Sequence, residues 1–417
     1  MTHTRSALII GGGIAGPVAA MALRQAGIEA TVAEAHPQGA GGIGVFLTLA
    51  SNGIDALRTI GADGSPLAAG FPTPGITLRS TTGKDLGAAR TGLSLPDGTT
   101  SHTLKRAALY KAIHDEATSR GVVVEHGKRL VDVERRGDEV RALFEDGSDA
   151  MGDVVIGADG IHSVVRKLID PNAPEPTYAG LINLGGYARG VDVDAEPGSY
   201  TMIFGKRAFF GYALAPDGDV WWFANIPRGD EPPRGEVEGI TAEEWQSTLP
   251  ELYAEDAGPA VRLVQATDTA DIMPASPIHS IPHLPKWHSG RMIVIGDAAH
   301  APTPTSGQGA SLSIEDAVVL AKCLRDLPDP QQAFTRFEAL RRPRVERIIK
   351  QAARINSNKA AGPVGRVFRD AILPLILKMA TNSKRAKEAY EYHIDWNAPI
   401  SSVSGQPKGA SNRSVSS

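Results

Sequence analysis

The sequence predicts an α/β fold in which a discontinuous parallel-sheet domain carries an inserted antiparallel sheet and is followed by a helical C-terminal region. Three observations predict it. The chain opens on a β-α-β pattern over residues 7–34. Residues 180–226 alternate like antiparallel strands and are denser in aromatics than the rest of the chain. An apolar strand leading into a helix returns only near residue 292, as if a second unit had been inserted.

Ala7-Leu-Ile-Ile10 is a continuous apolar run, as a strand buried on both faces requires. A glycine turn follows, then a helix over about 15–25 closed by Gly27. Ala30 to Ala33 reads as a second strand ending at Glu34. Residues 52–60 read as a helix closed by Gly61, and 76–100 as short strands and turns. Residues 106–120 form an amphipathic helix with Leu109, Ile113 and Ala117 on one face. Strands are expected at 122–125, 131–134, 140–144 and 153–156, the middle two in a meander. Three more are expected at 199–204, 207–214 and 220–226, joined by turns at Gly205-Lys206 and Pro216-Asp-Gly218. An acidic helical stretch spans 241–265, a strand 292–295, and helices begin near Gly309 and fill most of 331–395. The tail from Ser401, rich in Ser, Gly, Asn and Pro, should be disordered. The domain reading is therefore 1–75, 101–172 and 278–350 for the parallel-sheet domain, with 76–100 and 173–277 for the insert. Residues 351–400 make the helical region and 401–417 the tail.

Composition narrows the function. The 417 residues carry a net charge of -4, so no excess of Lys and Arg suggests a nucleic-acid partner. Cys323 is the only cysteine, which rules out an intrachain disulfide and suits a reducing, cytoplasmic setting. No segment reaches the ~18 apolar residues a membrane span needs. Within 367–379, the run Ala371 to Leu377 either touches a membrane surface or packs as a helix on the protein body. Oligomeric state is open between monomer and homodimer.

Gly11-Gly-Gly13-Ile14-Ala15-Gly16 follows a strand and opens a helix, the context in which GxGxxG binds a dinucleotide. Gly11 allows the tight turn, Gly13 lets backbone approach a pyrophosphate, and Gly16 lets helix and strand pack closely. The helix N-terminus then holds the phosphate charge. Glu34, 18 residues past Gly16, is placed to accept from ribose hydroxyls and to repel a 2′-phosphate. Gly39-Ala-Gly41-Gly-Ile-Gly44 matches the same string but follows no strand, so it reads as a loop.

Two further motifs extend the site. Residues 153–160 run Asp-Val-Val-Ile-Gly-Ala-Asp159-Gly160, a buried strand delivering an Asp-Gly turn, with Ser163 and Arg166 after it. Gly61-Ala-Asp63-Gly64 repeats the letters after a helix and reads as a cap and loop. The other motif runs from Arg291 through Gly296, Asp297, His300 and Pro304 to Gly307-Gln308-Gly309 and Ile314-Glu-Asp316. Asp297 would project from the carboxyl end of a strand, where its carboxylate can accept from polyol hydroxyls. Gly307 and Gly309 free backbone N–H groups at a helix start, donors able to stabilise anionic charge on a reduced ring. His300 reads as a packing and hydrogen-bonding neighbour of Asp297.

Together the three motifs resemble the class A flavoprotein monooxygenases, the p-hydroxybenzoate-hydroxylase-like enzymes, over about residues 6–350. The resemblance implies a Rossmann-like FAD-binding domain and an inserted substrate domain. It also implies that Gly11, Gly13, Ile14, Ala15, Gly16 and Glu34 hold the ADP half of FAD. Arg106 stands where the family has an arginine near pyrophosphate and flavin. Asp159 matches the Asp-Gly motif tied to FAD and NAD(P)H use. Gly296, Asp297, Pro304, Gly307, Gln308 and Gly309 match the ribitol and flavin loop. In such enzymes NAD(P)H reduces the flavin, O2 adds at C4a, and the hydroperoxide transfers one oxygen atom to an aromatic, heteroaromatic or polycyclic molecule. The cofactor carries the chemistry, so no catalytic side chain and no metal is assigned. Two positions depart from the family: Ala35 replaces a basic residue, and Ser51-Asn52 replaces Pro-Asn.

On the substrate side, period-2 alternation puts Phe210 and Tyr212 on one sheet face, and Trp221 and Phe223 together on one face of their own strand. Arg207, Phe210, Tyr212, Trp222 and Asn225 are the expected substrate contacts. The rival readings are a flavin dehydrogenase, a non-catalytic flavin-binding protein and an FAD-dependent halogenase. For the last, Trp222-Phe-Ala224-Asn-Ile226-Pro227 lacks the second Trp of the WxWxIP string.

Overall fold

A computed structural model of the protein describes residues 3–39, 44–359 and 389–400. The chain starts β1 (Ser6–Ile10), α1 (Ala15–Gln25), β2 (Glu29–Glu34), β3 (Phe46–Leu49), α2 (Ser51–Thr59), α3 (Gly64–Ala68) and β4 (Gly70–Pro72). It continues through β5 (Gly75–Ser80), β6 (Asp85–Arg90), β7 (His102–Lys105), α4 (Arg106–Ser119) and β8 (Val123–His126). A meander follows: β9 (Leu130–Arg136), β10 (Glu139–Phe144) and β11 (Asp149–Gly152). Then come β12 (Val154–Gly157) and α5 (Val164–Ile169).

β13 (Thr177–Ala188), β14 (Tyr200–Phe204), β15 (Phe209–Leu214) and β16 (Val220–Pro227) form the insert with α6 (Ala242–Tyr253), α7 (Ala260–Ala266) and β17 (Thr267–Ser280). The chain then returns through β18 (His288–Ser289), β19 (Met292–Val294), α8 (Gly309–Asp326) and α9 (Pro330–Lys359).

The first sheet has six strands in the order β18-β19-β12-β1-β2-β8. All its pairings are parallel except β18 with β19. Its central strands are buried because α1 packs on the sheet and the β9-β10-β11 meander packs against β1 and β12. α1 is made largely of Ala, Gly and Val and is buried from Ala15 to Leu23. Those small side chains let it lie close against the sheet; a Cβ on Gly16 would stand 2.0 Å from the Gly11 carbonyl oxygen.

The second large sheet runs β17-β13-β16-β15-β14-β5-β6. One face packs on α6 and α7, with Phe210, Tyr212, Trp222, Leu249, Tyr253 and Leu263 in one core. The other face meets Val45 and Phe71 of the first domain. A small sheet, β3-β7-β4, lies between the two.

The structure adds β3, β4, β7, β11, β18, α3 and α5 to the expected elements, and it differs from them at β17 and after Lys359. The expected helical stretch 241–265 consists of two helices, α6 and α7. β17 spans fourteen residues where no strand was expected. Its Pro274 and Pro277 mask the pattern, and they are tolerated because β17 is an edge strand. Helix is described to Lys359, and residues 391–400 are not helical. The apolar run 371–377, most of residues 351–400 and the tail 401–417 lie outside the described residues. Among those described, no helix is long and apolar enough to cross a membrane.

Candidate functional site

Four adjacent parallel strands, β2, β1, β12 and β19, end at the same edge of the first sheet. At or just past those ends stand Glu34, Gly11, Asp159 and Asp297. The carboxyl edge of such a sheet is where α/β folds bind ligands, and the chain delivers these loops from positions nearly 300 residues apart.

At the first loop Gly11 adopts φ 107°, and a Cβ there would stand 2.3 Å from the Ala158 carbonyl oxygen. Only glycine fits where these two loops cross. Gly12 donates its N–H to Glu34 Oε2 at 2.6 Å, and His36 N–H donates to Glu34 Oε1 at 2.7 Å. The Gly12 carbonyl lies 2.5 Å from His114 Nε2, and His114 stacks on Tyr110. Burial lowers the His114 pKa, against the pull of the Gly12 hydrogen bond. The Gly12 peptide is thus held at both ends. Space around the Gly13 Cβ direction is open, with nothing within 4 Å. No side chain caps α1, so its first-turn N–H groups stay available to a phosphate.

Asp159 turns back on its own chain. Its Oδ1 accepts from Ser163 Oγ at 2.5 Å, and its Oδ2 from the N–H groups of Val164 and Val165. Burial nonetheless raises its carboxyl pKa. Asp159 therefore shapes the Asp-Gly turn by capping α5. Arg166, fully buried, donates to the carbonyls of Ile161 and Ala298 and ties this turn to the loop after β19.

That loop is held from below. Gly296 N–H donates to Asp316 Oδ2 at 3.0 Å, and His300 Nε2 meets the same oxygen at 2.5 Å. Arg341 Nε reaches Asp316 Oδ1 at 2.6 Å. The neighbouring charges of His300 and Arg341 hold the Asp316 carboxyl at about 2, overcoming its burial. Glu315, equally buried, pairs with Arg341 and Arg344 and accepts from Asn52 Nδ2. His300 is therefore a support for the loop, anchored to Asp316. A Cβ on Gly296 would sit 2.7 Å from Ser313 Oγ and 3.4 Å from Ala15 Cβ, so α1, α8 and this loop meet at one point.

Asp297 faces outward from the meeting point. It is exposed, and it makes no hydrogen bond to a described residue. Crowding by protein raises its carboxyl pKa, opposed by His300 and Arg106 and reinforced by Asp316. Arg106 and Asp297 thus face the same space. Arg106, first residue of α4, is exposed, and its guanidinium pairs with no described residue. Pro304 and Gly307 are exposed beside α8, which has no side-chain cap and begins at half-buried Gly309. The Gln308 side chain points inward instead, accepting from Asn52 Nδ2 at 2.9 Å.

The donor set fits FAD. Uncapped α1 with open Gly13 suits a pyrophosphate, Glu34 and Asp297 suit sugar and polyol hydroxyls, and uncapped α8 suits an anionic ring edge.

The insert corrects four expected substrate contacts. Phe210, Tyr212 and Trp222 lie in the core under α6 and α7, on the face away from the first domain. Trp222 Nε1 donates to Thr267 Oγ1 within that core. Arg207 is exposed and donates to the Glu251 carbonyl, on the α6 side. Alternation fixes which residues share a face but not which face a neighbouring helix will cover. The face toward the first domain carries Trp221, Phe223 and Asn225. Phe46 of β3 touches Tyr200, Trp221 and Phe223 there, residues that pairing arguments alone could not join to it.

Residues 4–352 match the family model described as FAD binding domain. The chain is 30% identical to FAD-dependent urate hydroxylase of Klebsiella pneumoniae over 354 residues, covering 83% of this chain and 88% of that protein. It is 29% identical to aurachin C monooxygenase/isomerase of Stigmatella aurantiaca, covering 84% and 88%. It is 30% identical to 3-amino-4-hydroxybenzoate 2-monooxygenase of Streptomyces cremeus, covering 83% and 86%. Among solved structures, Klebsiella pneumoniae HpxO with FAD and uric acid superposes with a TM-score of 0.78 at 27% identity, covering 92% of this chain and 95% of that one.

Proposed function

The chain belongs to the class A FAD-dependent monooxygenase family, and from that premise we propose how its own residues serve the reaction. The substrate is an aromatic, heteroaromatic or polycyclic small molecule, the class to which the named relatives' substrates belong. NAD(P)H supplies two electrons and O2 the oxygen atom. The observation that carries the reading is that Asp297 and Arg106 share one space with the Gly11–Gly16 turn, though they lie far apart in sequence.

Bound FAD supplies the redox chemistry. Gly13, Ile14, Ala15 and Gly16 present the α1 N-terminus to the pyrophosphate. Glu34, already oriented by Gly12 and His36, has lone pairs left for ribose hydroxyls. Asp297 accepts from ribitol hydroxyls. Arg106 and the first turn of α8, beside Pro304, Gly307 and Gly309, present positive potential to the flavin ring, which favours its anionic reduced form. Gln308 contributes by orienting that turn through Asn52. Asp159 acts on the loop geometry by capping α5. The aromatic face of the insert excludes water from above.

The strand memberships support a division in which 76–100 and 173–277 form the substrate domain and 1–75, 101–172 and 278–350 the cofactor domain. We place the protein in the cytoplasm: its one cysteine, Cys323, is buried and free, as suits a reducing compartment.

The test is direct. The purified protein should be yellow and release FAD at near one per chain on denaturation. Aromatic substrates should stimulate its NAD(P)H oxidation, and product formed under isotopic O2 should gain one labelled oxygen atom. A colourless protein that takes up no FAD, or a product whose new oxygen comes from water, would overturn the reading.

A further inference from the structure

The insert's inner face sorts into rows, because residues paired across strands point the same way. One row holds Tyr187, Trp221 and Tyr200, buried where Phe46 and Phe71 pack on Trp221. The next holds Met273, Phe223 and Met202, with Gly185 and Gly211 on either side of Phe223. These three apolar side chains are only half-buried. The ring of Phe223 occupies the space beside Gly211, where a Cβ would come within 2.3 Å of it. The third row puts Asn183 beside Asn225. The open part of the wall is therefore the second row and the Asn183 end of the third.

Between β17 and β14 neither open row contains a charged residue. Lys105 has its Nζ 4.4 Å from the Tyr187 ring centroid, at the covered row. The polar pair is oriented. Asn225 Nδ2 donates to Asn183 Oδ1 at 2.8 Å and to the Ala224 carbonyl at 3.2 Å. That uses the Asn183 oxygen and leaves its NH2 group without a hydrogen bond to any described residue.

We propose that Asn183 is the polar anchor of the substrate, and that the substrate is a neutral planar ring system bearing a carbonyl-type acceptor. The inference rests on the monooxygenase reading and deepens it. Two residues along a strand cover roughly 6.6 Å, so a fused ring lying on Phe223 brings a ring carbonyl to the Asn183 NH2. A carboxylate in the same place would lose its hydration with no charged side chain in either open row to meet it.

The experiment uses FAD-loaded enzyme, wild type, N183L and N183D, with three probes of one size: a planar bicyclic lactam, its lactim ether with the carbonyl oxygen alkylated, and an aryl carboxylate. Dissociation constants come from perturbation of flavin absorbance, and kcat and KM from NAD(P)H oxidation. Wild type should bind the lactam roughly tenfold more tightly than the ether, and the carboxylate more weakly than the lactam. N183L should bring the lactam-to-ether ratio near one, raising KM and leaving kcat unchanged. N183D should weaken lactam binding as well, which covers the case in which N183L fails to hold FAD. A carboxylate that binds more tightly than the lactam, a ratio unmoved in N183L or N183D, or a lactam that does not bind would overturn the anchor. Lactam binding that responds to Asn183 without any stimulated NAD(P)H oxidation would uphold the anchor and count against the monooxygenase reading.

Discussion

The Nε of Arg341 lies 2.6 Å from Oδ1 of Asp316, and neither side chain reaches solvent. Asp316 in turn holds Gly296 N–H and His300, so α9 secures the loop that presents Asp297.

Replacing Arg341 with Met should therefore cost roughly 3–5 kcal/mol, because two buried carboxylates lose their shared cation. Denaturant unfolding checks this; a loss below about 1 kcal/mol would contradict it. The acid limb follows from the same pair. The Asp316 carboxyl titrates at about 2 when folded, below its ordinary 3.8. A depressed acid contributes stability above its unfolded value, and that stability is lost as pH falls from about 4 toward 2.

Glu34→Gln should weaken FAD binding roughly tenfold to a hundredfold. The variant replaces an acceptor of two backbone N–H groups with one that carries its own N–H donors, so the Gly12 turn loses its hold. Fluorescence titration of the apoprotein with FAD reads the change. An unchanged dissociation constant would remove Glu34 from the site.

His114→Leu should raise the FAD dissociation constant roughly fivefold to tenfold by releasing the Gly12 carbonyl. Because the His114 pKa lies below its usual 6.5, the ring is neutral at pH 7 and donates from Nε2. On acidification it gains charge near the phosphate loop, facing Glu34, His126 and Tyr110. The ratio of variant to wild-type dissociation constants should then widen as pH falls. A ratio constant with pH would show that the residue merely fills space.

Two neighbours on β16 should separate cleanly. Trp222→Ala should cost roughly 3–5 kcal/mol of stability, since the ring is fully buried under α6 and α7. Phe223→Ala should change KM several-fold with a smaller stability loss, its ring being half exposed on the inner face. Thermal unfolding beside steady-state kinetics decides it; the reverse pattern would exchange the two faces.

The cofactor edge was largely legible in the sequence because its signals are local. Ala7 to Ile10, Gly11 to Gly16 and Glu34 form one short continuous stretch, and α1 begins at Ala15 as its glycine turn implies. The supports were not legible. Arg341 reaches Asp316 across 25 residues, and Asn52 reaches Glu315 across 263. No periodicity records such partners. On the insert, alternation paired Trp221 with Phe223 correctly. It was silent about α6 and α7, whose placement decides that Trp222 is core and Phe223 is wall.

The order of synthesis makes one last point. β19 pairs with β12 from well over 100 residues downstream, and α8 follows β19. A nascent chain that has just left the ribosome through residue 250 owns the phosphate turn but neither Asp297 nor the N-terminus of α8. Flavin capture must therefore wait until the chain has been made beyond Gly309, and the apoprotein must survive that interval with its sheet edge incomplete.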